Sequence, residues 1–306
     1  MTDSHSVRDD ALVSMSGLRV VKAHGTGNDF VIVPDLEGVL DLTPEQVRAL
    51  CDRHRGVGGD GVLRVVPTTL ASEVADQASQ ASWFMDYRNA DGSLAEMCGN
   101  GARVFARYLQ VALLETTSQF SIATRRGPCA VELHGDGDVE INMGQATAPA
   151  VRVMPVVTVG DRGWNGSPVL TSNPHCVVFL EDGLAETENA SQALATLDLT
   201  TKPNIEPSAV FPESANVEFV IRTGERHLML RVHERGVGET MACGTGSCAA
   251  MWAAAVRDDA PVDVSYQVGS PGGTVTVRRD LNHDLHLRGP VALVASVVLG
   301  SGSTER

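Results

Sequence analysis

The chain has 306 residues, 43% hydrophobic and 20% charged, which supplies a sizeable core, excludes whole-chain disorder and suits two domains of ordinary size. Lys+Arg number 24 against 38 Asp+Glu, a net charge of −14, which argues against nucleic acid or an anionic membrane as the main partner. Lysine occurs only at Lys22 and Lys202, a poor supply for the Schiff base that pyridoxal phosphate chemistry requires.

Residues 1–16 are polar, carry no signal-peptide core and are expected to fray. Short apolar runs predict strands at 18–22, 30–33 and 84–87, and an amphipathic pattern predicts a helix at 103–114. The polar stretch 68–82 reads as peripheral helix or loop. A turn-rich segment at 134–138 marks a lobe boundary, and strands are predicted at 139–143, 156–159, 176–180, 216–221 and 228–232. A second polar stretch, 181–208, separates two of them. Residues 247–256 are apolar almost all round, the pattern of a helix buried inside its lobe. Strands at 274–277 and 291–299 follow, the last expected to return to the first lobe, and 301–306 are expected to fray. No apolar run is long enough to span a bilayer, so a cytoplasmic location is expected. Many short strands with one central helix per lobe predict an α/β protein of α+β lobes, each a mostly antiparallel sheet wrapped around its helix. The expected lobes are 17–142 plus 290–302, and 143–289.

The chain is also written twice. Cys98-Gly99-Asn100-Gly101 and Cys243-Gly244-Thr245-Gly246 lie 145 residues apart. The same offset carries Thr26-Gly27-Asn28 onto Thr171-Ser172-Asn173 and Asn89 onto Glu234. Each cysteine thus closes a unit with an asparagine 70 residues upstream and a polar residue nine upstream, the mark of a duplication with two pseudo-symmetric lobes.

A helix start offers unpaired N–H groups and partial positive charge, and glycines let a ligand approach closely. Such a place holds a carboxylate and favours a neighbouring thiolate. Two of them at one cleft would grip a carboxylate with a thiol on either side of its α-carbon, which is what inverting a stereocentre requires. The remaining cysteines, Cys51, Cys129, Cys176 and Cys248, read as small buried hydrophobes. No Cys-x-x-Cys pair occurs, so neither structural zinc nor a disulfide scaffold is expected.

The motifs His24-Gly-Thr-Gly-Asn-Asp-Phe30, Asn89-Ala-Asp-Gly-Ser, Met97-Cys-Gly-Asn-Gly-Ala-Arg103, Asn173-Pro-His-Cys-Val, Glu234-Arg-Gly-Val-Gly-Glu-Thr240 and Ala242-Cys-Gly-Thr-Gly246 resemble the diaminopimelate epimerase family over about residues 17–300. The resemblance implies two lobes with the active site between them, often as a homodimer. It implies cofactor-independent interconversion of LL- and meso-diaminopimelate in lysine and peptidoglycan precursor synthesis, with no metal. By the same resemblance Cys98 and Cys243 match the paired acid and base. Gly99, Asn100, Gly244 and Thr245 match the helix-start positions that hold the reacting carboxylate. Glu234 matches a carboxylate near the substrate amino group, and His175 a histidine close to the thiols. Asn28, Asn89, Asn173, Asn216 and Arg235 match the polar set that holds the substrate, Arg235 being the natural bidentate clamp.

One departure from the family pattern is Gly61, where many members carry glutamine, so that a side-chain contact to substrate is expected to be lost. Two other readings compete. A proline racemase-like epimerase of the same fold would carry a Ser-Pro-Cys-Gly type second motif, whereas this chain has Met241-Ala-Cys243. A non-catalytic redox-switch protein would use the two thiols as a reversible disulfide.

Overall fold

A computed structural model describes residues 11–149, 153–185 and 187–300; residues 1–10 and 301–306, expected to fray, lie outside the described residues. The chain divides into two units, Met1–Ile141 with Pro290–Arg306, and Asn142–Gly289.

The first unit begins with the hairpin β1 (Arg19–Gly25) and β2 (Asn28–Pro34). Two residues connect them, Thr26 at φ 50° and Gly27 at φ 78°. Left-handed backbone at both positions is the two-residue turn that matches strand twist, and it places Asn28 at the strand start. Helix α1 (Pro44–Cys51) follows, opened by a capping box between Thr43 and Gln46 with proline in its first turn. Then come β3 (Gly61–Pro67), β4 (Trp83–Asn89), helix α2 (Gly99–Val111), β5 (Gln119–Ala123), β6 (Cys129–Leu133) and β7 (Val139–Gln145). The pairing β1–β2–β3–β4–β5–β6–β7 is antiparallel except at β2–β3 and β4–β5, which are parallel. The chain's last strand, Ala292–Val298, pairs antiparallel with β1. Helix α2 packs against β1, β2, β3, β4, β6 and that last strand, so the sheet is wrapped around it.

The second unit holds β8 (Val156–Val159), β9 (Arg162–Leu170), β10 (Pro174–Phe179), α3 (Ala190–Thr196), β11 (Asn204–Glu206), β12 (Asn216–Gly224), β13 (His227–Glu234), β14 (Gly238–Thr240), α4 (Gly244–Arg257), β15 (Val264–Ser270), β16 (Gly273–Arg279) and β17 (Asp284–Gly289). Its sheet runs β9–β10–β12–β13–β15–β16–β17, antiparallel except at β10–β12 and β13–β15. Order and sense of pairing therefore repeat those of the first unit strand for strand. Helix α4 packs against all seven strands. Its alanine-rich sequence suits that place, because small side chains let a helix be covered on nearly every side.

Two sequence expectations change. Both central helices start at the residue after the cysteine, earlier than 103 and 247, because the glycine-rich entry is itself helical. Residues 11–16 do not fray: 11–13 are helical, and Met15, only 7% exposed, packs into a core cluster with Val20, Val33 and Leu299. The 68–82 stretch is helix and loop as expected, with short 3-10 helices at Thr68–Leu70 and Ser72–Gln77.

The loop before Cys98 is pinned by a buried charge network in the first unit. Asp86 on β4 is fully buried and receives Arg125 Nη2 at 2.6 Å, Arg88 Nη2 at 3.1 Å and Arg64 Nη1 at 3.2 Å. Arg125 also donates to the carbonyls of Tyr87 at 2.9 Å and Ala95 at 3.3 Å, bracketing the loop. Burial alone would raise the Asp86 carboxyl, but the hydrogen bonds and charges of Arg88 and Arg125 outweigh it and hold the group below its usual range. Asp86→Asn is expected to cost about 3 kcal/mol, since it leaves buried arginines uncompensated. A carboxyl with a depressed folded value contributes fully above about pH 4 and loses its contribution as pH falls through that value. The gap in urea midpoint between wild type and Asp86→Asn should therefore close on acidification; a gap constant from pH 7 to pH 3 contradicts this account.

Candidate active site

In the first unit Cys98 is the N-cap of α2, with extended backbone at φ −139° and ψ 121°. Its Sγ accepts from Gly101 N at 3.4 Å, and its carbonyl accepts from Ala102 N at 2.7 Å. The thiol lies 3.6 Å from Asn28 Oδ1, which also accepts from Asn100 Nδ2 at 3.4 Å. Asn28 in turn donates from Nδ2 to Asp60 Oδ2 at 2.7 Å. Asn100 Oδ1 accepts from Arg103 Nη2 at 2.6 Å, and the same nitrogen reaches Thr26 Oγ1 at 3.2 Å. Arg103, fully buried, thus locks the helix start to the turn that carries Asn28. Four expected residues, Asn28, Cys98, Gly99 and Asn100, come together here. Asn89 sits at the end of β4, donating to Ser93 Oγ at 3.0 Å and paired in register with Gly61.

Gly61 has a packing reason. A Cβ there would lie 2.5 Å from the Arg88 carbonyl oxygen and 2.7 Å from the Tyr87 ring, so this chain has no room for the family's glutamine.

In the second unit Cys243 is the N-cap of α4, at φ −124° and ψ 118°, its Sγ accepting from Gly246 N at 3.4 Å and lying 3.4 Å from Thr245 Oγ1. Glu234 accepts from Thr240 Oγ1 on the neighbouring short strand. Burial raises the Glu234 carboxyl above its usual range. Burial, followed by the carboxylates Glu234 and Glu218, also pushes the Cys243 thiol well up. His175, fully buried on β10, meets Glu218 Oε1 through Nδ1 at 2.7 Å and Asn173 Oδ1 through Nε2 at 2.8 Å. Asn216, 4% exposed, accepts from the Arg235 backbone N at 2.8 Å. The Arg235 guanidinium is held at its edge by Glu213, whose carbonyl accepts from Nη1 at 3.3 Å and whose Oε2 lies 3.7 Å away, and its side chain is 40% exposed. Expected residues Asn173, His175, Asn216, Glu234, Arg235, Cys243, Gly244 and Thr245 thus share this one unit.

Glu218, Arg103 and Asp60 were missing from the expected set. Glu218 could have been found: it is the one charge in the apolar run 216–221, two positions after Asn216 and so on the same face. Among the described residues no group of three or more His, Cys, Asp or Glu side chains has metal-binding geometry.

All six cysteines carry thiols rather than disulfides. Cys51, Cys129 and Cys176 are buried, and burial pushes their thiols up to about 12. Cys98 is half-buried and Cys243 only 6% exposed. Iodoacetamide at pH 8 should therefore alkylate Cys98 roughly tenfold faster than Cys243, which is less accessible and whose thiol burial pushes well up. Peptide mapping by mass spectrometry reads this directly, and equal rates at the two positions contradict it.

Comparison with known proteins agrees with the motifs. The family model for diaminopimelate epimerase matches residues 20–149 and 168–294. The diaminopimelate epimerase of Streptomyces coelicolor is 46% identical over 280 residues, covering 90% of this chain and 93% of that protein. The Mycolicibacterium smegmatis enzyme of the same name is 43% identical over 289 residues, covering 90% and 94%. Among solved structures, a hydroxyproline epimerase from Agrobacterium vitis matches with TM-score 0.61 at 12% identity, covering 94% of this chain and 93% of that one. A Bacillus anthracis protein of the PhzF family matches with TM-score 0.59 at 18% identity, covering 92% and 98%. These distant likenesses establish the fold, and the close ones the family: the chain belongs to the diaminopimelate epimerase family.

Proposed function

We propose that this protein is a cofactor-independent diaminopimelate epimerase that interconverts the LL and meso isomers, with Cys98 and Cys243 as the paired base and acid. The observation that carries this reading is the repeated one: a thiol at the N-cap of a glycine-led helix in each of two units of identical strand order. A helix start is a carboxylate site, and Gly99, Asn100, Gly244 and Thr245 supply its first residues. Concentrating positive potential on the α-carboxylate stabilises the charge that develops when the α-proton leaves. The reaction requires the two thiols to reach opposite faces of one α-carbon. The thiolate takes the proton on one face while the thiol delivers its own to the other, and the roles exchange for the reverse direction.

Glu234 suits the substrate ammonium. The buried Cys243 thiol is held up partly by the Glu234 charge, so an ammonium docked on that carboxylate offsets the charge and eases formation of the Cys243 thiolate. The exposed Arg235 guanidinium, its backbone fixed by Asn216, suits the distal carboxylate, a group that proline lacks. That feature favours diaminopimelate over a proline-type substrate. Pyridoxal phosphate has no good partner here: Lys22 is bonded to Asp29 and the Gly58 carbonyl, and Lys202 is exposed on a loop. The same reading assigns the protein to the cytoplasm, where thiols stay reduced, as part of lysine and peptidoglycan precursor synthesis.

Incubation of the reduced protein with LL-diaminopimelate in deuterated water should introduce deuterium at the α-carbon. Cys98→Ala and Cys243→Ala should each lower the rate by roughly 10²-fold to 10⁴-fold. Absence of exchange under reducing conditions sinks the epimerase reading and leaves the redox switch. We further propose a homodimer using the last strand, where Val294 is 59% and Val298 53% exposed. Val294→Glu should shift sedimentation from dimer to monomer; a monomeric wild type removes the proposal.

A further inference from the structure

The two units differ chemically directly under the two cysteine-capped helices. In the first unit a Cβ on Gly101 would meet Phe30 Cζ and Leu63 Cδ2, both at 3.4 Å. In the second, a Cβ on Gly246 would meet Glu218 Oε1 at 2.7 Å. The registers show that these are matching places. Phe30 on β2 pairs with Gly61 on β3, two residues before Leu63; His175 on β10 pairs with Asn216 on β12, two residues before Glu218. A hydrocarbon pair in one unit is thus a histidine–carboxylate pair in the other, fully buried on both sides.

Both ring nitrogens of His175 face oxygen atoms, Glu218 Oε1 at 2.7 Å and Asn173 Oδ1 at 2.8 Å. Thr171 Oγ1 donates to the same Asn173 oxygen at 3.2 Å. Glu218 Oε2 has no hydrogen-bond partner among the described residues, and the carboxylate therefore draws its compensation from His175. The other titratable neighbours are Glu234 on β13, Cys243 before α4 and Cys176 beside His175 on β10. Two carboxylates and the Cys243 thiol lie on the side of His175, Cys176 points to the other face of β10 into the core, and among these groups there is no second cation.

We propose that Glu218 is a positioning residue that keeps His175 doubly protonated, so that its Nε2–H holds Asn173 Oδ1 and leaves the Asn173 NH2 to face substrate. Only the last clause rests on the epimerase reading. A neutral His175 protonated at Nδ1 would present a bare Nε2. It would then draw the amide NH2 to itself and turn an oxygen toward an anionic ligand.

The test is ¹⁵N NMR of the full chain labelled at histidine, with His175 assigned by the loss of its signals in His175→Phe. The wild type should show two protonated ring nitrogens at pH 7.5. Glu218→Gln should show a neutral ring at pH 7.5, and Glu218→Asp should restore the imidazolium. In the same variants, KM for diaminopimelate at pH 8 should rise about tenfold in Glu218→Gln with kcat changed less than about threefold, and recover in Glu218→Asp. A neutral His175 in the wild type at pH 7.5 overturns the proposal. So does a Glu218→Gln protein with unchanged spectrum and KM. A protein that turns over no diaminopimelate at all fails the epimerase reading instead, while the spectrum still decides the charge on His175.

Discussion

Each central helix begins on a sulfur atom. At an N-cap the side chain must accept a hydrogen bond from an amide two or three residues on, and serine, threonine, aspartate or asparagine does this better than cysteine. In both units the cap is nevertheless a thiol, and in both its Sγ receives the third amide of the helix at 3.4 Å. Of the glycines supplying that amide, Gly246 is packed too closely for a larger residue, with Glu218 Oε1 2.7 Å from where a Cβ would stand, and Gly101 sits where a Cβ would just touch Phe30 and Leu63. The thiol, the glycine and the sheet wrapped around the helix therefore depend on one another. A stronger cap would gain helix stability and lose the one reactive atom that this position delivers.

Around that shared frame the two units diverge. The first surrounds its thiol with amides: Asn28 against Sγ, Asn100 beside it and Arg103 tying both to the Thr26–Gly27 turn. The second surrounds its thiol with ionisable groups, Glu234 where the first has Asn89, and the His175–Glu218 pair where the first has Phe30 and Leu63. Identical strand order thus fixes where a group can act, and the residues at matching register positions decide what it does there. A reaction that passes a proton between two like thiols needs this kind of inequality if the two are to rest in different protonation states.

Much of this was legible in the sequence, because the duplication preserved spacing. The 145-residue offset located both caps and both asparagines, and it paired Asn89 with Glu234. Strands with compact apolar runs, such as Cys176 to Phe179, were readable too. Others were not: β9 (Arg162–Leu170) carries two glycines and a proline, and β17 (Asp284–Gly289) hides one buried face behind outward polar residues. Helix starts were misjudged because glycine carries poor intrinsic helix propensity, while tertiary packing and the thiol cap override it at 99–101 and 244–246. Glu218 carried a local signal, a charge in an apolar run two positions after Asn216, but its partnership with His175 did not, because the parallel pairing with β10 is not written in local sequence.

Energetics separates the two halves further. Burying a histidine and a carboxylate side by side costs several kcal/mol of desolvation per ion, which their attraction repays only with good geometry, whereas Phe30 and Leu63 fill the matching place with apolar contact. Stability alone would favour the hydrocarbon version, and the first unit shows that the frame accepts it. The second unit also leaves Glu218 Oε2 without a donor among the described residues, a further cost. An expense confined to the unit that holds Glu234 and the more buried thiol, and absent at the matching place in its structural twin, is one that folding alone does not explain.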